Sequence, residues 1–134
     1  MPYLTMTPEQ EGAYNNALQK IEACRRERGV VLKLGGVGLS RLPPTIGQLT
    51  ALTQLELSNN QLRTLPPAIG QLTALTQLHL SNNQLSSLPP EIGQLTALMQ
   101  LYLAINQLRT LPPEIGQLTA LTTLHDTAPS SGCR

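Results

Sequence analysis

The chain has 134 residues, a formal net charge of +1 and only 2% aromatic residues, with no Phe or Trp. This length suits one domain, and the near-neutral charge predicts no binding to nucleic acid or to acidic lipid. No apolar run approaches the roughly 20 residues of a membrane-spanning helix, and the start lacks the pattern of a secretory signal. We therefore expect a soluble protein whose core consists of Leu and Ile.

The first 28 residues predict an amphipathic helix. Residues 7–10, Thr-Pro-Glu-Gln, have the pattern of a helix start with a capping box, and Gly29 is placed to end the helix. The buried face that we expect consists of Ala13, Ala17, Ile21 and Cys24. We interpret the basic run at residues 25–28 as a solvated helix end. The alternative is a site for phosphate or acidic lipid.

The sequence then repeats every 23 residues. Leu-Pro-Pro begins at residues 42, 65, 88 and 111, and Ile-Gly-Gln-Leu-Thr-Ala follows each time. The repeats are 29–51, 52–74, 75–97 and 98–120, with a partial fifth that begins at residue 121. Because a unit of this length cannot bury its own apolar face, the period predicts a solenoid whose turns pack on their neighbours.

Each repeat predicts one short strand and one return segment. In the second repeat, Leu55 and Leu57 alternate with polar residues, as in a strand with one buried face. Two prolines in each return segment exclude a regular sheet there and predict an irregular or short helical arc, which Gly70 helps to turn. An asparagine follows three of the strands, at Asn60, Asn83 and Asn106. We interpret these amides as structural groups that satisfy buried backbone atoms.

The pattern L-x-x-L-x-L-x-x-N-x-L closely resembles the leucine-rich repeat family. The extension L-P-P-E-I-G-Q-L-T is similar to the 23-residue class in Shoc-type Ras-pathway scaffolds, plant Ras-group proteins and the N-terminal repeats of bacterial Roco GTPases. The resemblance covers residues 29–125. It implies an α/β leucine-rich repeat solenoid with a short parallel concave sheet, an irregular or short-helical convex arc and, ahead of it, the N-terminal capping helix.

The first repeat departs from this pattern. Gly29 replaces its first Leu, and Val37 replaces the asparagine. Residues 35–40, Gly-Gly-Val-Gly-Leu-Ser, weakly resemble a phosphate-binding loop, but they lack the Lys of that motif and Leu39 falls on a core position. We therefore interpret the segment as a tight turn and predict no nucleotide cofactor.

The last repeat is incomplete. Asp126 falls where a core Leu is expected, and Pro129 falls where the asparagine is expected. We predict a capping helix over 1–28, repeats over 29–127 and a disordered tail over 128–134. Either the chain is a piece of a longer repeat protein, which we favour, or the uncapped C-terminal edge self-associates with another chain.

The two cysteines, Cys24 and Cys133, lie near opposite ends of the chain. Because a solenoid holds its ends apart, we expect no disulfide between them. Extracellular repeat proteins usually carry clustered cysteines at their ends, so this pattern favours a cytoplasmic location.

One outward position of the predicted sheet varies while the scaffold stays constant. This central column consists of Lys33, Glu56, His79, Tyr102 and His125. A rigid wall with diverse polar side chains and one aromatic residue suits a protein partner, although solvated strand residues would show the same pattern. Glu56 beside His79 could orient a general base, but no nucleophile or oxyanion donor accompanies them. His79 and His125 are about 10 Å apart, too far to share a metal.

We therefore predict a non-catalytic module that binds a protein partner on its concave face. The sequence predicts no cofactor, no metal site, no nucleic acid and no membrane among its partners. The alternative is an N-terminal regulatory part of a larger multidomain GTPase or kinase of Roco type, whose catalytic domains lie outside this chain.

Overall fold

The computed structural model describes residues 6–125. One helix, α1 (Pro8–Glu27), precedes a sheet of five strands. The strands are β1 (Val31–Lys33), β2 (Gln54–Glu56), β3 (Gln77–His79), β4 (Gln100–Tyr102) and β5 (Thr123–His125). Between successive strands lie four 3-10 helices, at Pro44–Gln48, Pro67–Gln71, Pro90–Gln94 and Pro113–Gln117. The predicted strand and short helical arc of each repeat are thus confirmed.

Helix α1 begins at the predicted capping box. The Thr7 hydroxyl accepts a hydrogen bond from the Gln10 backbone N–H at 3.1 Å, and the Gln10 side chain accepts one from the Thr7 N–H at 2.9 Å. All four residues of the predicted apolar face are buried, and α1 packs against β1 and the first 3-10 helix. The helix therefore covers the first turn of the solenoid, as the sequence predicts.

The C-terminus of α1 differs from the prediction in detail. Arg28, with φ of 54°, is the residue in the left-handed conformation, whereas Gly29 is not. The Gly29 N–H donates to the Cys24 carbonyl, and a Cβ at Gly29 would lie 3.0 Å from the Cys24 Sγ. Gly29 is therefore needed for its close approach to the helix. Cys24 is a free, buried cysteine, and burial together with the charge of Glu27 raises the pKa of its thiol.

The five strands form one parallel sheet in the order β1-β2-β3-β4-β5, and each strand pairs with the next at a spacing of one repeat. The central leucine of each of the first four strands is buried, whereas Leu124 of β5 is 40% exposed. Isoleucines of the arcs, such as Ile69 and Ile92, close the same core from the other side. The core is therefore a layered stack of Leu and Ile, as the composition predicts.

The glycines of the first three arcs allow consecutive arcs to pack closely. A Cβ added at Gly70 would come 2.9 Å from the Glu91 carbonyl oxygen, and one at Gly93 would come 2.8 Å from that of Glu114. Neither glycine has a positive φ. Gly70 is therefore required by the neighbouring arc and not, as the sequence suggested, by the conformation of its own turn.

The asparagine prediction is confirmed. Asn83 Oδ1 accepts from the Leu62 N–H, and its Nδ2 donates to the carbonyls of Leu57 and Leu80, all at 3.0 Å. Asn60 and Asn106 make the same kind of contacts in their own repeats. Each amide thus links two successive turns where the chain leaves the strand.

The predicted division of the chain stays a prediction. Helix α1 and the sheet lie within the ranges 1–28 and 29–127. The predicted tail, 128–134, lies outside the described residues, as do Asp126 and Cys133.

Candidate functional site

The parallel register brings the central column together on one face of the sheet. Lys33 pairs with Glu56, Glu56 with His79, His79 with Tyr102, and Tyr102 with His125. Because the leucines on either side of Lys33, Glu56, His79 and Tyr102 are buried in the core, these side chains face solvent on the concave face, and the register places His125 beside Tyr102. Neighbours are one strand spacing apart, about 4.8 Å.

Three aromatic rings of the column form a continuous stack. The ring centroids of His79 and Tyr102 are 4.6 Å apart with an interplanar angle of 14°. Those of Tyr102 and His125 are 5.1 Å apart with an angle of 28°. The tyrosine is half-buried between the two imidazoles and is held by both. The stack thus presents ring edges to the solvent from a fixed position.

The polar groups of His79 and Glu56 have local partners. The Gln77 Oε1 lies 3.3 Å from His79 Nε2, and both residues belong to β3. The Glu56 Oε1 accepts a hydrogen bond from the Ser58 N–H at 3.1 Å. The carboxylate of Glu56 therefore lies against its own chain, and among residues 6–125 it makes no hydrogen bond to His79. The acid–base pair that the spacing allows is not formed.

The described residues offer no metal site. Within residues 6–125 no three side chains of the types His, Cys, Asp and Glu come together in a way that could hold an ion. Tyr102 also stands between His79 and His125 in the ring stack. Two imidazoles on opposite faces of one phenol ring cannot ligate a common metal.

The glycine-rich segment of the first repeat uses its backbone donors internally. The N–H groups of Val37 and Leu39 both donate to Asn60 Oδ1, at 3.1 and 2.9 Å. The Gly36 N–H donates to the Ser58 carbonyl at 3.0 Å. A phosphate cradle needs such donors to be free. The segment is therefore a turn that supports the asparagine contacts.

The basic end of α1 is partly neutralised by the helix itself. Arg25 makes two hydrogen bonds to Glu22, and Arg26 Nε lies 3.8 Å from the same carboxylate. The hydrogen bond from Arg25 lowers the pKa of Glu22. These contacts favour the interpretation as a solvated helix end over that of a phosphate site.

The structure also reveals two residues that the sequence analysis missed. Met99, just before β4, and Ile105, just after it, are 46% and 65% exposed. Ile105 has a φ of 60°, a left-handed conformation that a β-branched residue rarely adopts. The signal was present in the sequence, because the third repeat has Thr76 and Asn82 at these positions.

The comparisons with known proteins agree with the repeat fold. A family model described as a leucine-rich repeat region matches residues 14–127. Among solved structures, a leucine-rich repeat protein of Leptospira interrogans is similar at 35% sequence identity, with a TM-score of 0.60 over 79% of this chain. The chain spans only 35% of the length of that protein. No curated protein matches the chain.

No helix within residues 6–125 is long and apolar enough to cross a membrane. The described part of the chain consists of one helix, followed by parallel strands that alternate with 3-10 arcs and are linked by buried asparagines. Together with the match over residues 14–127, this architecture shows that the chain belongs to the leucine-rich repeat family.

Proposed function

We propose that the chain is a non-catalytic protein-interaction module that binds its partner on the concave face through the central column. The observation that carries the proposal is the variation of this column on an otherwise constant scaffold. Its five registered positions hold Lys, Glu, His, Tyr and His, while the second and third repeats differ at only four positions in total. A position that varies on a rigid, repeated scaffold can encode a choice of partner.

Tyr102 is the anchor that this surface offers. It is held between His79 and His125, so little side-chain entropy remains to be lost on binding. Lys33 and Glu56 place opposite charges on neighbouring strands, and such charges set the register of a partner more than they add affinity. We expect Tyr102 to dominate the binding energy and the charged residues to contribute less.

The test begins with a partner isolated by affinity capture from intact cells, with a chain altered in the central column as the control. Binding of that partner to Tyr102→Ala and Glu56→Ala is then measured by titration calorimetry. We expect Tyr102→Ala to weaken binding by about 30-fold, the equivalent of a typical hot spot. Glu91→Ala on the third arc is the matched control, because the second repeat already has Ala68 at that position.

The proposal fails if both column variants bind like the parent while the arc variant loses binding. It also fails if the wild-type chain and the altered column capture the same proteins in the same amounts. Retained folding of each variant is checked by its circular dichroism and its thermal midpoint.

The second hypothesis is the N-terminal regulatory part of a Roco-type GTPase or kinase. The observation that favours it is the helix followed directly by the L-P-P-E-I-G-Q-L-T array. A longer reading frame with G-x-x-x-x-G-K-[ST] beyond the repeats would support it. A cytoplasmic location and self-association through β5 are separate hypotheses, which fractionation and sedimentation at several concentrations would test.

A further inference from the structure

The fourth repeat differs from the third mainly by less polar side chains on β4 and directly beside it. The two differ at six positions, namely 76/99, 79/102, 81/104, 82/105, 86/109 and 87/110. Four of these changes lie on β4 or directly beside it, and each replaces a more polar side chain by a less polar one. We call the resulting set Met99, Tyr102, Ala104 and Ile105 the apolar stripe.

The stripe crosses the concave face along one turn of the solenoid. Met99 precedes β4, Tyr102 is its last residue, and Ala104 and Ile105 follow. Six residue steps at the rise of a strand span at most about 20 Å. With Met99 and Ile105 largely exposed at its two ends, the stripe extends the central column sideways.

Ile105 lacks local stabilisation that the second and third repeats have at the same position. Asn59 and Asn82 adopt the same left-handed backbone, which asparagine tolerates, and Asn82 Nδ2 donates to Asn59 Oδ1 at 2.7 Å. Ile105 has the same φ but can neither relieve the strain nor continue this hydrogen bond. A strained residue that persists at the surface indicates a functional role.

Met99 interrupts a second surface ladder. The hydroxyls of Thr53 and Thr76 donate to the carbonyls of Val30 and Thr53, at 3.1 and 3.0 Å. Met99 has no hydroxyl with which to continue the ladder to the Thr76 carbonyl, and Thr122 resumes it at 3.1 Å. Both ends of the stripe thus exchange a hydrogen-bonding side chain for an exposed apolar one.

The segments that follow the first four strands carry only positive charge. These segments, 35–42, 58–65, 81–88 and 104–111, contain Arg41, Arg63 and Arg109 and no acidic residue. All three arginines are exposed, and within residues 6–125 the ion pairs are made by Glu22 alone. We call this surface the basic flank. Because Ile105 lies in the last of these segments, the basic flank and the apolar stripe are continuous.

We propose that the apolar stripe and the basic flank bind an extended, acidic protein segment that carries a large apolar side chain. The inference rests on the proposed function and deepens it by naming the chemistry of the partner. The apolar side chain packs on Tyr102 and Ile105, and carboxylates beside it pair with Arg63 and Arg109. A second copy of this chain fits poorly, because a two-fold contact would bring identical basic flanks together.

Three pools of synthetic peptides about ten residues long are the probes. The first has Leu among Asp and Glu, the second has Leu among Lys and Arg, and the third has Ser among Asp and Glu. Fluorescence polarisation of the labelled pools measures their binding to the full chain. We expect the first pool to bind in the micromolar range that small interfaces usually reach, and the other two to bind at least tenfold more weakly.

The decisive variants restore residues that other repeats already contain. Ile105→Asn and Met99→Thr introduce the residues of the third repeat, and each should weaken the first pool by about tenfold. A merely structural role for Ile105 predicts no such loss, because Asn is better suited to the left-handed backbone and should raise the thermal midpoint. Arg63→Ser, which introduces the residue of Ser86, should weaken the first pool and reduce its salt dependence. Glu91→Ala is the control and should change nothing.

The outcomes separate this inference from the proposed function. If the first pool binds and Tyr102→Ala abolishes binding, but Ile105→Asn and Met99→Thr do not weaken it, the proposed function stands and the inference is overturned. Equal binding of the first and third pools would show that the apolar side chain is not needed. Equal binding of the first and second pools would show that the surface has no preference for acidic peptides. Each overturns the inference, as does the absence of binding by the labelled first pool when the full chain is in 100-fold excess over the peptide. If sedimentation shows a dimer that Ile105→Asn dissociates, the occupant is a second copy and the inference is wrong.

Discussion

The asparagine contacts overlap, so that removing one amide does not free all of its partners. The Leu57 carbonyl accepts from both Asn60 and Asn83, and the Leu80 carbonyl accepts from both Asn83 and Asn106. In Asn83→Ala both carbonyls therefore keep one amide donor. The Leu62 N–H, which is buried and donates to Asn83 Oδ1 at 3.0 Å, is the group left without a partner.

One buried donor without a partner costs about 1–3 kcal/mol, which is the expected loss in the free energy of unfolding for Asn83→Ala. Asn60→Ala leaves three groups without a partner: the N–H groups of Val37 and Leu39 and the Leu34 carbonyl. It should therefore cost more, about 2–5 kcal/mol. Asn106 is only partly buried, so water can replace its contacts and Asn106→Ala should cost least. The predicted order of destabilisation is Asn60, Asn83, Asn106.

Urea unfolding followed by circular dichroism measures these differences. With a slope of about 2 kcal/mol/M, a loss of 2 kcal/mol moves the midpoint by about 1 M. The matched control is Asn16→Ala on the exposed side of α1, which should leave the midpoint nearly unchanged. An unchanged midpoint in Asn83→Ala, or a larger loss in Asn106→Ala than in Asn60→Ala, would refute the reasoning.

Two further predictions concern the packing of the solenoid. Leu80→Ala removes a fully buried side chain and should lower the free energy of unfolding by about 2–5 kcal/mol, measured in the same urea experiment. A loss below 1 kcal/mol would mean that neighbouring turns close the cavity. Gly70→Ala forces a Cβ against the Glu91 carbonyl and should cost about 1–3 kcal/mol. Gly116→Ala, where an added Cβ meets nothing within 4 Å among the described residues, should be nearly neutral, and equal effects at both glycines would contradict the close packing of the arcs.

The sequence by itself determined the architecture, because repetition gives each position the same surroundings in every turn. Leu55 and Leu57 had to face inward, since only stacked repeats can bury them, and the asparagines after β2, β3 and β4 had to satisfy a chain that bends there. The capping box at Thr7 is equally local, because all of its atoms lie within one helical turn. The register of the central column follows from the constant period of 23 residues.

Only the tertiary structure decided which contacts form where more than one neighbour is within reach. The carboxylate of Glu56 could reach His79 by its spacing, yet it accepts from the N–H of Ser58. Gly70 reads as a turn residue in the sequence, but the approach of the next arc is what excludes a side chain there. In the sequence Ile105 does not differ from other apolar residues, and only the structure shows that it has a left-handed backbone and is exposed. In each case the outcome depends on which group is nearest in space, and the repeat pattern does not specify the distances between such groups.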